Sequence, residues 1–288
     1  MLVVEIQFLL LVLVAALGAS TGSFLGSLNY RLPKKYIRKW HEEEDLGELG
    51  VEIVEDPTVV NSPRSLCVHC KKKLEWWELI PIFSFILLRG RCSECKGKIS
   101  PQYFAMEGLM LLLTVFFYLK FGLNAEFVIL VILSAIFLLA AGIDLQTFIL
   151  PDFLTIPVIV SGLLVTLLRF TLGVNLNPPF ASSVQDSVLG LILIPTFLIL
   201  FTWLFKVVTK KEGFGFGDIK LLAGVGVWFG LFGVFATLLL SCFLGIAGQI
   251  LISLLTKRRI FGVHYPFGPY IVAGLFVYLF VFDLLVSS

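Results

Sequence analysis

Two aspartates stand where a carboxylate is least comfortable. Asp144 lies in Ile143-Asp144-Leu145-Gln146, and Asp218 closes Gly213-Phe214-Gly215-Phe216-Gly217-Asp218, each where a long apolar run meets polar sequence. Keeping an ionisable side chain at a membrane boundary is costly and marks a functional site by default. Two converging carboxylates can share one proton, one serving as acid and the other as base to activate water. That is the chemistry of an aspartic peptidase working at a bilayer. The opposing reading makes each acid a helix cap, since aspartate satisfies the free N–H groups there. Asp152, directly after Pro151, fits that role. Asp218 is preceded by Gly213, Gly215 and Gly217, more glycine than a cap requires. Glycine permits close backbone approach and unusual φ, both useful to a loop closing over an extended peptide. Glu107, near the start of another apolar run, is a third buried acid and needs a basic or amide partner.

A second set of residues has metal-ligand spacing. Cys67-Val68-His69-Cys70 and Cys92-Ser93-Glu94-Cys95 are separated by 21 residues, while the fifth cysteine, Cys242, lies in an apolar run. Each C-x-x-C presents two thiolates from one turn, and two such turns complete a tetrahedral four-sulfur site for structural zinc. Cys67, Cys70, Cys92 and Cys95 are therefore the expected ligands. His69 is expected to point away from them. Between the pairs, Trp76 and Trp77 suit the membrane interface.

The elements that must position these groups are apolar helices. Hydrophobic residues make up 58% of the 288, mean hydropathy is +0.97, and charged residues are 15%, against roughly 25% in soluble domains. That excludes a soluble enzyme, and nothing points to a nucleic-acid partner. Runs at 6–28, 104–119, 127–143, 153–172, 188–205, 221–256 and 267–287 read as spans of about 20 residues. The 221–256 run is too long for one helix, and Gly230-Leu231-Phe232-Gly233 divides it. The expected fold is an all-α polytopic membrane protein of eight transmembrane helices with a zinc-stapled cytoplasmic loop. The first helix covers 1–28, the loop subdomain 29–103, and a seven-helix peptidase domain 104–288. With alternating spans, 20 of the 22 Lys and Arg residues fall on one side, all but Lys120 and Arg169. The positive-inside rule makes that side cytoplasmic, and Asp144, Asp218 and the cysteines share it. The N-terminal run has no basic residue before it and is too long for a cleaved signal. Residues 42–56 hold eight acids and no base, which reads as a solvated insert.

Five segments in order carry a resemblance. They are Gly22-Ser23-Phe24-Leu25-Gly26-Ser27-Leu28-Asn29-Tyr30-Arg31-Leu32-Pro33, the paired-cysteine loop with Ile80-Pro81 and Leu88-Arg89-Gly90-Arg91-Cys92, Asp144 through Leu150-Pro151-Asp152, Lys211 through Asp218, and Pro266-Phe267-Gly268-Pro269-Tyr270. Together they resemble the type IV prepilin peptidases, the leader peptidase/N-methyltransferases. Gly26, Val68 and the 34–63 insert depart from the family pattern, none at an expected catalytic position.

The resemblance implies that Asp144 and Asp218 are the catalytic pair of a GxGD-type peptidase, with Gly215 and Gly217 in the supporting loop. It implies prepilin or pseudopilin precursors as substrates, of type IV pilus, type II secretion or competence systems, met in the cytoplasmic membrane. It also implies N-methylation of the new N-terminus by S-adenosylmethionine, associated with the 29–103 loop, where Gly90 is the cofactor-site candidate. The competing readings are a preflagellin or signal-peptide peptidase-like enzyme without methyl transfer, a proton-coupled transporter, and a structural subunit of a secretion machine.

Overall fold

Apolar sequence of this length folds into helices because, without water, each backbone polar group must be satisfied within its own segment. The computed structural model describes residues 2–44, 64–173, 176–210, 213–256 and 265–286. The acidic stretch beyond Glu44 lies outside the described residues, as do Lys211 and Glu212 ahead of the glycine run. The helices are α1 (Leu2–Glu44), the short α2 (Phe83–Leu87), α3 (Pro101–Phe121), α4 (Ala125–Thr147), α5 (Asp152–Leu172), α6 (Val184–Thr209), α7 (Phe216–Thr256) and α8 (Gly268–Val286). Among the described residues no strand forms, only the isolated bridges Leu66–Lys73 and Arg91–Lys98. Six helices, α1 and α3 to α7, are long and apolar enough to cross a membrane, and α8 is a shorter apolar helix. Their outward leucines and phenylalanines are exposed, as a lipid-facing surface requires.

The chain divides into two compact units, Met1–Leu139 and Ala140–Ser288, the boundary falling inside α4. In the first unit, Gly18, Gly22 and Gly26 form a stripe at intervals of four along α1. A Cβ at Gly18 would lie 2.8 Å from the Thr114 side chain, and one at Gly22 would lie 2.6 Å from the Met106 carbonyl. Small residues at this spacing let two helices approach closely where lipid removes the hydrophobic drive, and α1 packs along α3 in this way. Ser100 caps α3, its hydroxyl accepting from Gln102 N–H ahead of Pro101 at the first helical position.

In the second unit α7 is the central rod. A Cβ on Gly190 of α6 or on Gly226 of α7 would run into the other's carbonyl, so these two helices cross backbone to backbone. Trp228 Nε1 donates to Val158 O of α5 at 3.0 Å. A Cβ at Gly274 of α8 would sit 2.8 Å from Thr237 O. The expected division of the long run is present: Gly230 has φ 74 and ψ −175, a conformation that is essentially glycine-only. Its position makes the first half, Phe216–Phe229, about 21 Å long at 1.5 Å per residue, short of a full hydrocarbon crossing of about 30 Å. The break frees backbone groups that lipid cannot satisfy. The loop before α6 and the first turn of α6 satisfy them, with Ala181 N–H donating to Trp228 O at 2.9 Å and Leu231 N–H donating to Asp186 Oδ1 at 2.9 Å.

Candidate active site and metal centre

Asp144 lies in the last turn of α4, which ends where Phe148 enters the left-handed region at φ 57 and its N–H donates to Asp144 O. Asp144 is only 4% exposed. Its Oδ2 accepts from Gly268 N–H at 3.0 Å, the first residue of α8 and so a donor with no partner inside its own helix. A Cβ at Gly268 would lie 2.7 Å from that oxygen, so any side chain there would force the carboxylate to move. Asp218 lies in the first turn of α7, half-buried, close enough to Asp144 for the two carboxylates to interact electrostatically. Leu150 packs between their supports: a Cβ at Gly217 would fall 2.9 Å from Leu150 Cβ, and one at Gly268 would fall 3.3 Å from Leu150 Cδ1. Phe214 meets Phe267 edge-to-face at 5.1 Å. The glycine run thus lies beside both the 266–270 turn and the segment following Asp144.

Close approach, and not unusual φ, is what requires these glycines. Gly213, Gly215 and Gly217 are absent from the positive-φ residues, and Gly217 is already helical. Gly215 matters through space, since a Cβ there would sit 3.0 Å from Asp218 Oδ2. Asp152 does not cap α5 as expected. Pro151 is the N-cap residue, and Asp152 instead pairs with Lys220 Nζ at 2.6 Å, both largely exposed.

The two cysteine turns are near-copies of each other. Cys67 N–H donates to Lys72 O and Cys92 N–H to Gly97 O, while Lys71 and Lys96, each directly after a second cysteine, take φ 60 and 58. The four Sγ atoms lie within 4.8 Å of one another, with Cys67 to Cys95 at 3.8 Å and Cys70 to Cys92 at 4.0 Å, and no disulfide forms. Four sulfurs at about 2.3 Å from zinc would be about 3.8 Å apart, so the cluster could hold a metal ion such as zinc. His69 turns away, as expected, its Nε2 at 3.3 Å from Lys98 O. Glu78 ties the two turns together, bonded by Ser93 Oγ and paired with Lys72 at 3.5 Å. Burial alone would raise its carboxyl, but the bonds from Ser93, Glu75 N–H and Lys72 outweigh it and hold the group below the usual carboxylate range.

Comparison with known proteins decides the family. Residues 16–121 match the family model of the bacterial peptidase A24 N-terminal domain, and residues 131–250 match that of the type IV leader peptidase family. A prepilin leader peptidase/N-methyltransferase of Pseudomonas putida is 37% identical over 91% of this chain and 88% of its own length. The chain belongs to the type IV leader peptidase family. Proteins of the same name from Stutzerimonas stutzeri and Neisseria gonorrhoeae are 34% and 32% identical, covering 94% and 89% of this chain and 91% and 85% of theirs. No solved structure matches the chain. As a leader peptidase family member it is a multi-pass membrane protein, with helices that meet the length and composition a bilayer demands. Three contacts of this site were not readable from local sequence. They are Gly268 donating to Asp144, Leu150 filling the space between Gly217 and Gly268, and Lys220 pairing with Asp152. Gly268 falls within the 266–270 segment, but no spacing rule assigns it to Asp144.

Proposed function

We propose that this chain removes the basic leader from type IV pilin-like precursors and methylates the amine so exposed, using S-adenosylmethionine. The observation that carries the peptidase half is that Asp144 and Asp218, from the ends of helices far apart in sequence, are brought near each other where Gly268, Leu150 and Gly217 pack together. One carboxyl is protonated and hydrogen-bonds the scissile carbonyl oxygen. The other, ionised, takes a proton from water as the water oxygen attacks the carbonyl carbon. Collapse of the tetrahedral intermediate breaks the C–N bond, and the leaving amine takes up the proton. The pair shares that proton, so neither role belongs to one residue. Gly268 N–H holds the Asp144 carboxylate in place, and glycine at 215 and 217 lets the Asp218 carboxylate and Leu150 pack directly against the loop backbone.

In the second reaction the neutral amine attacks the methyl carbon. The carbon–sulfur bond breaks, its electron pair returns to sulfur to give a thioether, and the ammonium releases a proton to solvent. We assign this reaction to the 29–103 loop and the residues it packs against, and proteolysis to the helices that follow. Cys67, Cys70, Cys92 and Cys95 would hold a structural zinc, which supplies folding energy to the loop and no chemistry. The distribution of basic residues supports assigning both activities to the cytoplasmic side of the inner membrane.

The test is incubation of the purified protein with a prepilin, with and without S-adenosylmethionine, read by intact mass. Loss of the leader in both samples, and one added methyl only with the donor, is the expected result. An uncut precursor under conditions where the protein is folded would refute the reading.

A further inference from the structure

A cavity of about 280 Å³ opens in the first unit, walled by α1, α3 and the cysteine loop. It adjoins the metal cluster, whose Cys67 and Cys92 are among its lining residues. We propose that this cavity binds the sulfonium methyl donor, with Glu107 as the carboxylate that faces the positive sulfur. The proposal rests on the methyl-transfer reading above and gives that reaction a location.

Glu107 is the decisive group. It lines the cavity yet is only 7% exposed. Its one hydrogen bond among the described residues comes from Ile82 N–H at 2.6 Å, and it makes no ion pair with any of them. A buried carboxylate without a cation is unfavourable, and a cavity beside it is where a cation would be bound. The donor carries such a cation at sulfur. Methyl transfer leaves a neutral thioether that no longer needs the carboxylate, so the same charge that captures the donor favours release of the product.

The backbone around Glu107 is also set for a ligand. Ile82 is held at φ 64 and ψ −52, a strained conformation for a β-branched residue and one that clusters at binding sites. The Glu107 carboxylate fixes that turn, which starts α2 and places Phe85 and Leu88 in the cavity wall. With Tyr103 they give an apolar and aromatic surface of the kind an adenine ring stacks on, and Ser27 and Arg31 add polar groups to the lining. The volume is near the lower end for small-molecule sites, roughly 300 Å³. Gly90 does not line this cavity. It sits behind it at φ 65, its N–H donating to Phe85 O at 2.8 Å, and a Cβ there would reach the Phe85 ring at 3.0 Å. A substitution at Gly90 would move the wall and not remove a ligand.

Glu107→Gln separates charge from architecture, because the amide oxygen can still accept from Ile82 N–H. Binding of S-adenosylmethionine and of the neutral S-adenosylhomocysteine is measured on the detergent-purified full-length protein, with metal content and thermal unfolding as controls for folding. The expected result is an affinity for the sulfonium lowered about tenfold or more, as for a desolvated charge contact, with thioether affinity little changed. Ser27→Phe, which fills the cavity, should weaken both ligands. A folded Glu107→Gln protein that binds the sulfonium as tightly as the unsubstituted protein, or a folded Ser27→Phe protein that still methylates at full rate, overturns the location alone. Failure of the unsubstituted protein to bind or use the donor overturns the methyl-transfer reading itself.

Discussion

At the scale of single residues, the dyad prediction depends on telling catalysis from capping. Asp144 does satisfy the free N–H of Gly268, so removing it altogether would confound the two roles. Asn keeps an acceptor and loses the ionisable proton. Asp144→Asn and Asp218→Asn should each lower prepilin cleavage by about 10²- to 10⁴-fold, the usual contribution of positioned acid–base groups, while the protein still inserts. Cleavage at the unsubstituted rate by either variant, scored by mass, would sink the assignment. Asp152→Asn should cost no more than a few-fold in rate, because its pair with Lys220 is largely exposed and such pairs contribute under about 1 kcal/mol. Gly268→Ala is the sharper geometric test. Its methyl would sit 2.7 Å from Asp144 Oδ2, so the carboxylate must move. A 1 Å misplacement of a reacting group is worth about 100-fold, and single-turnover cleavage should fall by that order, with zinc content unchanged.

Among the elements, the cysteine loop and the broken helix carry separate predictions. The loop has short elements, with only the α2 helix and a 3-10 turn at Trp76–Leu79 between the cysteine pairs, and its two knuckles are joined by Glu78 and the sulfur cluster. Serine at any one of Cys67, Cys70, Cys92 or Cys95 should reduce bound zinc below one per chain and expose residues 64–100 to protease, because metal affinity here is folding free energy. Elemental analysis showing no zinc in fully active protein would remove the metal from the account. In α7 the break at Gly230 is supported by Asp186, which accepts from Leu231 N–H. Asp186→Ala should destabilise the second unit by about 1–2 kcal/mol, the upper range for a lost helix cap, seen as a lower unfolding temperature in detergent. Asp186→Asn should recover most of that loss, since an amide oxygen still accepts.

For the whole molecule, the question is whether two reactions use two sites. Methyl transfer needs a neutral amine held in line with the sulfonium methyl, which is positioning work and needs no carboxyl pair. Asp144→Asn protein should therefore methylate a pilin peptide supplied already cleaved, at close to the unsubstituted rate. Substitutions at the cysteine pairs or at Gly90 should show the opposite bias, losing methylation more than cleavage. Loss of both activities together in folded Asp144→Asn protein would mean one shared site.

Much of this was present in local sequence because local rules govern it. Helix length follows from apolar run length, so the spans from α3 onward could be placed to within a few residues, whereas α1 continues past the expected end at residue 28 to Glu44. The glycine that breaks α7 announced itself inside a run too long for one helix. The paired cysteines converge because each C-x-x-C turn presents both sulfurs on its own, and His69 was excluded by the same geometry. Asp144 and Asp218 stood out because an acid beside an apolar run is rare. What the sequence did not determine is which distant groups meet. Gly268 reaches Asp144 across 124 positions, and Glu107 finds Ile82 across 25. Nothing in the sequence around Asp186 marks it, and the packing of α6 on α7 alone puts it at the break. Those pairings follow from how close helices can pack, set by glycines whose neighbours lie elsewhere in the chain, and only tertiary structure decides them. The cavity beside Glu107 has the same origin, as the space left where α1, α3 and the cysteine loop cannot close on one another.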